Sequence, residues 1–215
     1  MTTRPFVIGV TGNIACGKSL VLATLADLGA QTIDADTVYH GLIAPGAALL
    51  MALRERFGPE IIAADGTLDR RALGQVVFSD PEALAALDAL THPAVVAAIR
   101  GQIAGSTARV IAVDAVKLIE SSLDQECDAV WIVTCEPAQS VERLMGRNDI
   151  SREDAAARVA AQSPIKPKLA RATAVIDNSG AREATRSQVE RAWRDAGLCQ
   201  SRWGCVARKA RARWA

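Results

Sequence analysis

No two of the five cysteines form a C-x-x-C pair, and their number is odd. Those absences argue against a disulfide framework and a zinc site, and suit reduced thiols in a cytosolic protein. No apolar run approaches the roughly 18 residues of a membrane helix. The N-terminal segment has one arginine and an apolar stretch too short for a signal peptide. The expectation is therefore a soluble, cytoplasmic protein with no membrane partner. Internal repeats and low-complexity segments are also missing. The net charge of +1 excludes little, but it is uneven, because Leu198 to Ala215 carries Arg202, Arg208, Lys209, Arg211 and Arg213 with no acid. Without those five charges the rest of the chain stands at −4. The tail, with Trp203 and Trp214, is read as a solvated extension rather than a nucleic-acid arm, and no nucleic-acid partner is expected.

What is present is a chain of 215 residues, 50% apolar and 23% charged, enough for one sizeable core with an inserted subdomain. Short apolar runs recur at "FVIGVT" (6–11), "QTID" (31–34), "RVIAVD" (109–114), "AVWIVT" (129–134) and "AVID" (174–177). Continuous runs of this length suit strands buried on both faces. An amphipathic stretch, Lys18 to Leu28, ends at Gly29 between the first two. Strand, glycine loop, helix, strand predicts an α/β fold with a five-stranded parallel sheet and helices on both sides. From about Thr37 to Gly105 the rhythm breaks into helical patterns, which reads as an insert at the sheet's carboxyl edge, where such folds build their ligand crevice. After the fourth run, "PAQSVERLMGR" and "SREDAAARVAAQ" predict a helical pair, the second opened by a capping box at Ser151 and Asp154.

The stretch Gly12-Asn13-Ile14-Ala15-Cys16-Gly17-Lys18-Ser19 matches G-x-x-x-x-G-K-[ST] in full. Glycines let the backbone curl so that N–H groups point inward, and the loop leads into a helix N-terminus that favours anions. Lys18 would reach the outer phosphates of ATP and Ser19 would offer its hydroxyl to Mg²⁺. Cys16 is an unusual choice here. Near a helix N-terminus its thiol could ionise more readily and be shielded by nucleotide, or it could simply be a small side chain that fits.

Asp34 and Asp36 follow the second strand, where a carboxylate could accept a proton from a substrate hydroxyl or orient it for attack on a γ-phosphate. If the segment stays extended, both side chains point one way; alternatively Asp36 is the N-cap of the following helix. Asp114, at the end of the third strand, either contacts magnesium through water or fixes a neighbouring loop. Arg143 and Arg147 are four apart and share one helix face, as mobile arginines that meet phosphoryl charge would; Lys166 and Lys168 could close over the same charge. These residues alone suit a small-molecule kinase for several kinds of acceptor. A nucleotide-dependent switch fits less well, because no guanine-reading N-K-x-D segment is present.

With these residues placed, the chain resembles the dephospho-CoA kinase family. Beyond the phosphate loop, "DADTVYH", "LRERFGPEIIAADGTLDRRALGQVVFSD", "LTHPAV", "ERLMGRNDISREDAAARVAAQ" and "AVIDNSG" look like family segments in the family's order, covering roughly Phe6 to Trp193. The resemblance implies a P-loop kinase-like three-layer fold with a helical lid, and ATP-dependent phosphorylation of the ribose 3′-hydroxyl of dephospho-CoA to give coenzyme A and ADP. It implies Mg²⁺ as cofactor and a monomer or weak homo-oligomer. It also implies a nucleotide-binding core over 1–36 and 106–198, with its lid at about 137–170, a CoA-binding insert over 37–105, and a basic extension over 199–215. Asp36 looks like the catalytic carboxylate, with Lys18 and either Arg143 or Arg147 stabilising the transferring group. The ATP site would comprise Gly12 to Leu20 with Asn178 near the adenine. Asp34 and His92 would join Asp36 on the acceptor side, though a lone histidine is more often structural. Two departures stand out: Asn13 replaces a common glycine, and "VDAVKLIES" puts Lys117 where many members have an apolar residue.

Overall fold

A computed structural model of the chain describes residues 4–199. The basic extension, apart from Cys199, lies outside the described residues. Five strands, β1 (Phe6–Gly12), β2 (Gln31–Asp34), β3 (Val110–Asp114), β4 (Ala129–Thr134) and β5 (Ala174–Asp177), form one sheet in the order β2-β3-β1-β4-β5. Every pairing is parallel. The three inner strands, β1, β3 and β4, are buried at successive positions, as their continuous apolar runs require; the edge strands β2 and β5 each bury one residue, Ile33 and Ile176.

Alternate residues feed two cores. Ile8, Val10, Val110, Ala112, Trp131 and Val133 face α1 (Lys18–Asp27) and α9 (Arg182–Asp195). Val7, Ile111, Val113, Val130 and Ile132 face the opposite way, onto Ile99 and Ile103 and onto Leu118 and Leu123 of the β3–β4 connection. Gly29, at φ 98°, takes the left-handed turn that ends α1 and releases the chain into β2.

Between β2 and β3 stand α2 (Ala35–Leu42), α3 (Ala48–Phe57), α4 (Arg70–Ser79) and α5 (Pro81–Gly105). They enclose a third core that includes Ile43, Leu53, Ile61, Leu73 and Val77. The helix α5 is the longest of the described helices, and Asp88, His92 and Arg100 interrupt its apolar pattern. Its 25 residues are long and apolar enough by length and composition to cross a membrane, with a mean hydropathy of 1.4 over an 18-residue window. In the fold it serves as the wall between insert and sheet, packing on α2, α3 and α4 and burying Ile99 and Ile103 under β3.

On the other side of the sheet's carboxyl edge come α6 (Pro137–Asn148), α7 (Arg152–Ala160) and the single turn α8 (Lys166–Leu169). Ser151 caps α7 as read, its Oγ accepting from the Asp154 amide at 3.0 Å, but the return bond runs from the Ser151 hydroxyl, not its backbone N–H, to Asp154 Oδ2 at 2.8 Å.

Trp131 is 1% exposed in a central strand, so Trp131→Ala leaves a cavity between β4 and the α1–α9 layer. The expected cost is about 3–5 kcal/mol, read as a lower urea midpoint with an unchanged slope.

Candidate active site

The phosphate loop owes its path to close contacts that forbid side chains. A Cβ on Gly12 would lie 2.4 Å from the Val133 carbonyl oxygen and 2.7 Å from Cys16 Sγ. Gly17 sits at φ 93°, and a Cβ there would lie 1.9 Å from Asn178 Nδ2. Ala15, at φ 57°, supplies the other left-handed residue of the curl. Asn13 has no positive φ, so replacing the common glycine there costs no backbone strain.

The loop is held from below and from the side. The Asn178 side chain, 5% exposed, donates from Nδ2 to the Cys16 carbonyl at 2.8 Å and accepts from Thr185 Oγ1 at 2.8 Å. Its side-chain amide braces the loop. Cys16 belongs to the first core at 2% exposure. Burial pushes its thiol up to about 11, with Lys18 pulling the other way. The helix N-terminus therefore does not make it reactive; it fills the space under the curl as a small apolar group.

Above the loop, a cavity of about 300 Å³ is lined by Gly17, Lys18, Ser19, Asp114, Arg143 and Arg147, with Ala15 and Cys16 at its back. The two arginines differ. Arg143 is half-buried, donating to the Ala15 and Cys16 carbonyls at 3.5 and 3.3 Å and to the Asn178 carbonyl at 2.9 Å. It is a brace rather than a mobile charge. Arg147 is exposed and, among the described residues, its side chain bonds only to its neighbour Asn148, at 2.9 Å. Lys168 also departs from expectation: it is 7% exposed and donates to the Val116 carbonyl at 3.1 Å beside Glu120, so it cannot close over a phosphate. Lys166 is exposed. Ile14 packs on the lid core with Val141 and Leu144, and Leu20 lies in the first turn of α1.

Asp34 pairs in register with Asp114 across β2 and β3. The helix cap is Asp34, not Asp36: its carboxylate accepts from the Asp36 and Thr37 amides at 2.9 and 3.4 Å, and from Thr37 Oγ1 at 3.0 Å. The chain turns helical at Ala35, so the two aspartates do not share an extended stretch. Asp36 is left exposed in the first turn of α2, facing a second cavity of about 220 Å³ that also contains Tyr39, His92 and Lys117. Burial raises Asp114 to about 6, opposed by Lys18 and reinforced by Asp34 and Asp36. Its Oδ1 is buried without a hydrogen bond among the described residues, 4.0 Å from Lys18 Nζ.

A phosphate loop with three carboxylates at the sheet's edge and a basic helix opposite is a phosphoryl-transfer arrangement. The sequence model of the dephospho-CoA kinase family matches residues 6–183. The chain belongs to the dephospho-CoA kinase family. Dephospho-CoA kinase from Symbiobacterium thermophilum is 44% identical over 195 residues, covering 88% of this chain and 81% of the relative. Among solved structures, TT1252 from Thermus thermophilus superposes with a TM-score of 0.76 at 34% identity, over 88% of this chain and 96% of that one. Dephospho-CoA kinase from Campylobacter jejuni gives 0.64 at 28%, with the same coverage.

Two parts of the kinase's site had no readable signal. Gln162, just past α7, accepts from the Ile14 amide at 3.3 Å, tying lid to loop across 148 residues. The Val116 carbonyl takes both Lys168 Nζ and Thr11 Oγ1, at 3.1 and 3.0 Å, fixing the β3–β4 connection beside the site. A lone glutamine and a backbone carbonyl carry no spacing pattern to find.

With its thiol near 11 rather than 9, Cys16 holds about a hundredfold less thiolate at pH 8 than an unburied thiol. Alkylation of the Cys16 peptide, followed by mass spectrometry, is expected to be slow with or without ATP. Rapid labelling blocked by ATP would overturn this account.

Proposed function

We propose that the chain transfers the γ-phosphoryl group of ATP to the ribose 3′-hydroxyl of dephospho-CoA, giving coenzyme A and ADP. The observation that carries this reading is the pair of cavities at the carboxyl ends of β2 and β3, one built on the phosphate loop and reaching Asp114, the other built on Asp36 and reaching the next residue, Ala115. Phosphoryl transfer needs little covalent help from the protein; positioning and charge do the work.

In this reading the loop amides and Lys18 hold the triphosphate. Asp36, exposed and unencumbered by capping, orients the acceptor hydroxyl and takes its proton as the new O–P bond forms. Arg147 meets the charge that spreads over the moving group, while Arg143 keeps the loop in shape. Asp34 acts through its cap, holding α2 so that Asp36 faces the cavity. His92 lines the acceptor cavity. The residues present also fit Mg²⁺: Asp114 carries a buried oxygen with no partner, and the Ser19 hydroxyl opens on the same cavity. Oxygen ligands of this kind, few in number and completed by phosphate, suit that ion. When bound it neutralises phosphate charge. The insert supports the coenzyme A moiety, and the protein acts in the cytoplasm as a monomer or weak homo-oligomer.

A coupled ADP-release assay with dephospho-CoA, with mass measurement of the product, tests the reaction. ADP release with a nucleoside or small alcohol but none with dephospho-CoA would reject it. Asp36→Ala is expected to lower kcat by about 10²–10⁴-fold while ATP affinity, measured by calorimetry, stays within a few fold.

The arginines should separate. Arg147→Ala is expected to lower kcat by about 10²–10³-fold with little change in ATP affinity. Arg143→Ala should weaken ATP binding and destabilise the fold by about 1–3 kcal/mol, because three carbonyls lose a donor. Thermal melts alongside the kinetics check this, and matching behaviour of the two variants would remove the distinction.

A further inference from the structure

Lys117 occupies the β3–β4 connection. Its ammonium donates to both Asp88 oxygens, at 2.8 and 3.0 Å. Asp88 lies on α5 one turn before His92, whose Nε2 is 3.3 Å from Asp88 Oδ1. All three side chains line the same cavity of about 220 Å³ as Asp36. Much of the remaining lining is apolar, with Leu87, Val95 and Ala115 among it. The fixed charges of this cavity are thus two carboxylates, Asp36 and Asp88, and one ammonium.

Dephospho-CoA carries a diphosphate on the same ribose that bears the reacting hydroxyl. When that hydroxyl sits at Asp36, the diphosphate enters a space whose carboxylates repel it. Lys117 is the cation among the residues that line this cavity. Its side chain is 53% exposed and its bond to Asp88 bridges two separate elements, so exchanging that partner for a phosphate costs little.

We propose that Lys117 is a specificity-determining residue that binds the diphosphate of the acceptor, and that Asp88 holds it at the cavity rim until the acceptor arrives. This rests on the reading of dephospho-CoA as acceptor. Asp88 and Lys117 then have opposite effects on acceptor binding, since Asp88 competes with the diphosphate for the same ammonium. A merely structural tie between the β3–β4 connection and α5 would make them act alike.

Steady-state kinetics of the full chain with dephospho-CoA, at fixed saturating ATP, decide the matter. The wild type must first release ADP; if it does not, the functional reading fails independently of Lys117. Lys117→Leu is expected to raise KM for dephospho-CoA about tenfold, with kcat and KM for ATP moved less than twofold. Asp88→Asn is expected to lower KM for dephospho-CoA, and Lys117→Arg to keep it near the wild-type value. If both Lys117→Leu and Asp88→Asn raise KM, or if Lys117→Leu leaves it unmoved, the proposal is overturned. Should Lys117→Leu fail to fold, the sign of the Asp88→Asn shift decides: a fall in KM supports the proposal and a rise overturns it.

Discussion

A loop that turns its N–H groups toward a phosphate must turn carbonyls away from it, and those carbonyls need donors elsewhere. Asn178 and Arg143 supply them, on the Cys16 and Ala15 carbonyls. The rest of the site depends on that clamp. Gly17 is obligatory because Asn178 stands where its Cβ would be. Asn178 is itself fixed by Thr185 on α9 and by the strand β5 that precedes it. Residues some 130 to 160 positions apart in the chain therefore hold the curl. The parallel sheet makes this economical: β1 lies at its centre, β4 beside it and β5 next, so the loop after β5 arrives under the loop after β1.

Such ties explain which features could be read from the sequence. The inner strands β1, β3 and β4 were legible because burial on both faces writes a continuous apolar run, and the phosphate loop because its conformation demands glycine at fixed offsets; the edge strands β2 and β5 bury one residue each and left a shorter signal. Asp36 was legible as a carboxylate at a strand's end, but its freedom was not. That depends on Asp34 taking the cap, a choice made by where the backbone turns helical. Arg143 and Arg147 look alike in sequence, four apart on one face. Only the packing of α6 beside the phosphate loop shows that one braces carbonyls and the other points free. Lys168 resembled a mobile surface cation for the same reason, and tertiary contact buries it. The helix α5 shows the converse limit: its composition alone passes for a membrane span, yet its partners are the insert helices and the sheet.

Asp114 shows what the site costs the fold. Burial favours its neutral form, and the neighbouring acids Asp34 and Asp36 add to that, so only Lys18 in its surroundings favours the charge. A buried oxygen without a hydrogen bond is an expense that natural proteins keep for a reason. An ion or its water beside Ser19 would satisfy that oxygen, and the acid would then be charged where phosphate chemistry needs it.

The distribution of charge between the two cavities follows a related logic. The donor cavity sets Lys18, Arg143 and Arg147 against Asp114, whereas the acceptor cavity sets Asp36 and Asp88 against Lys117. Under the proposed function, a triphosphate would be stabilised in the first and repelled by the second, so that electrostatics would sort the more highly charged substrate to the loop. The acceptor needs a milder balance. As proposed, it brings a hydroxyl to Asp36 while carrying a diphosphate of its own, and the Lys117 ammonium in an otherwise acidic and apolar space would meet both demands without opening the cavity to ATP.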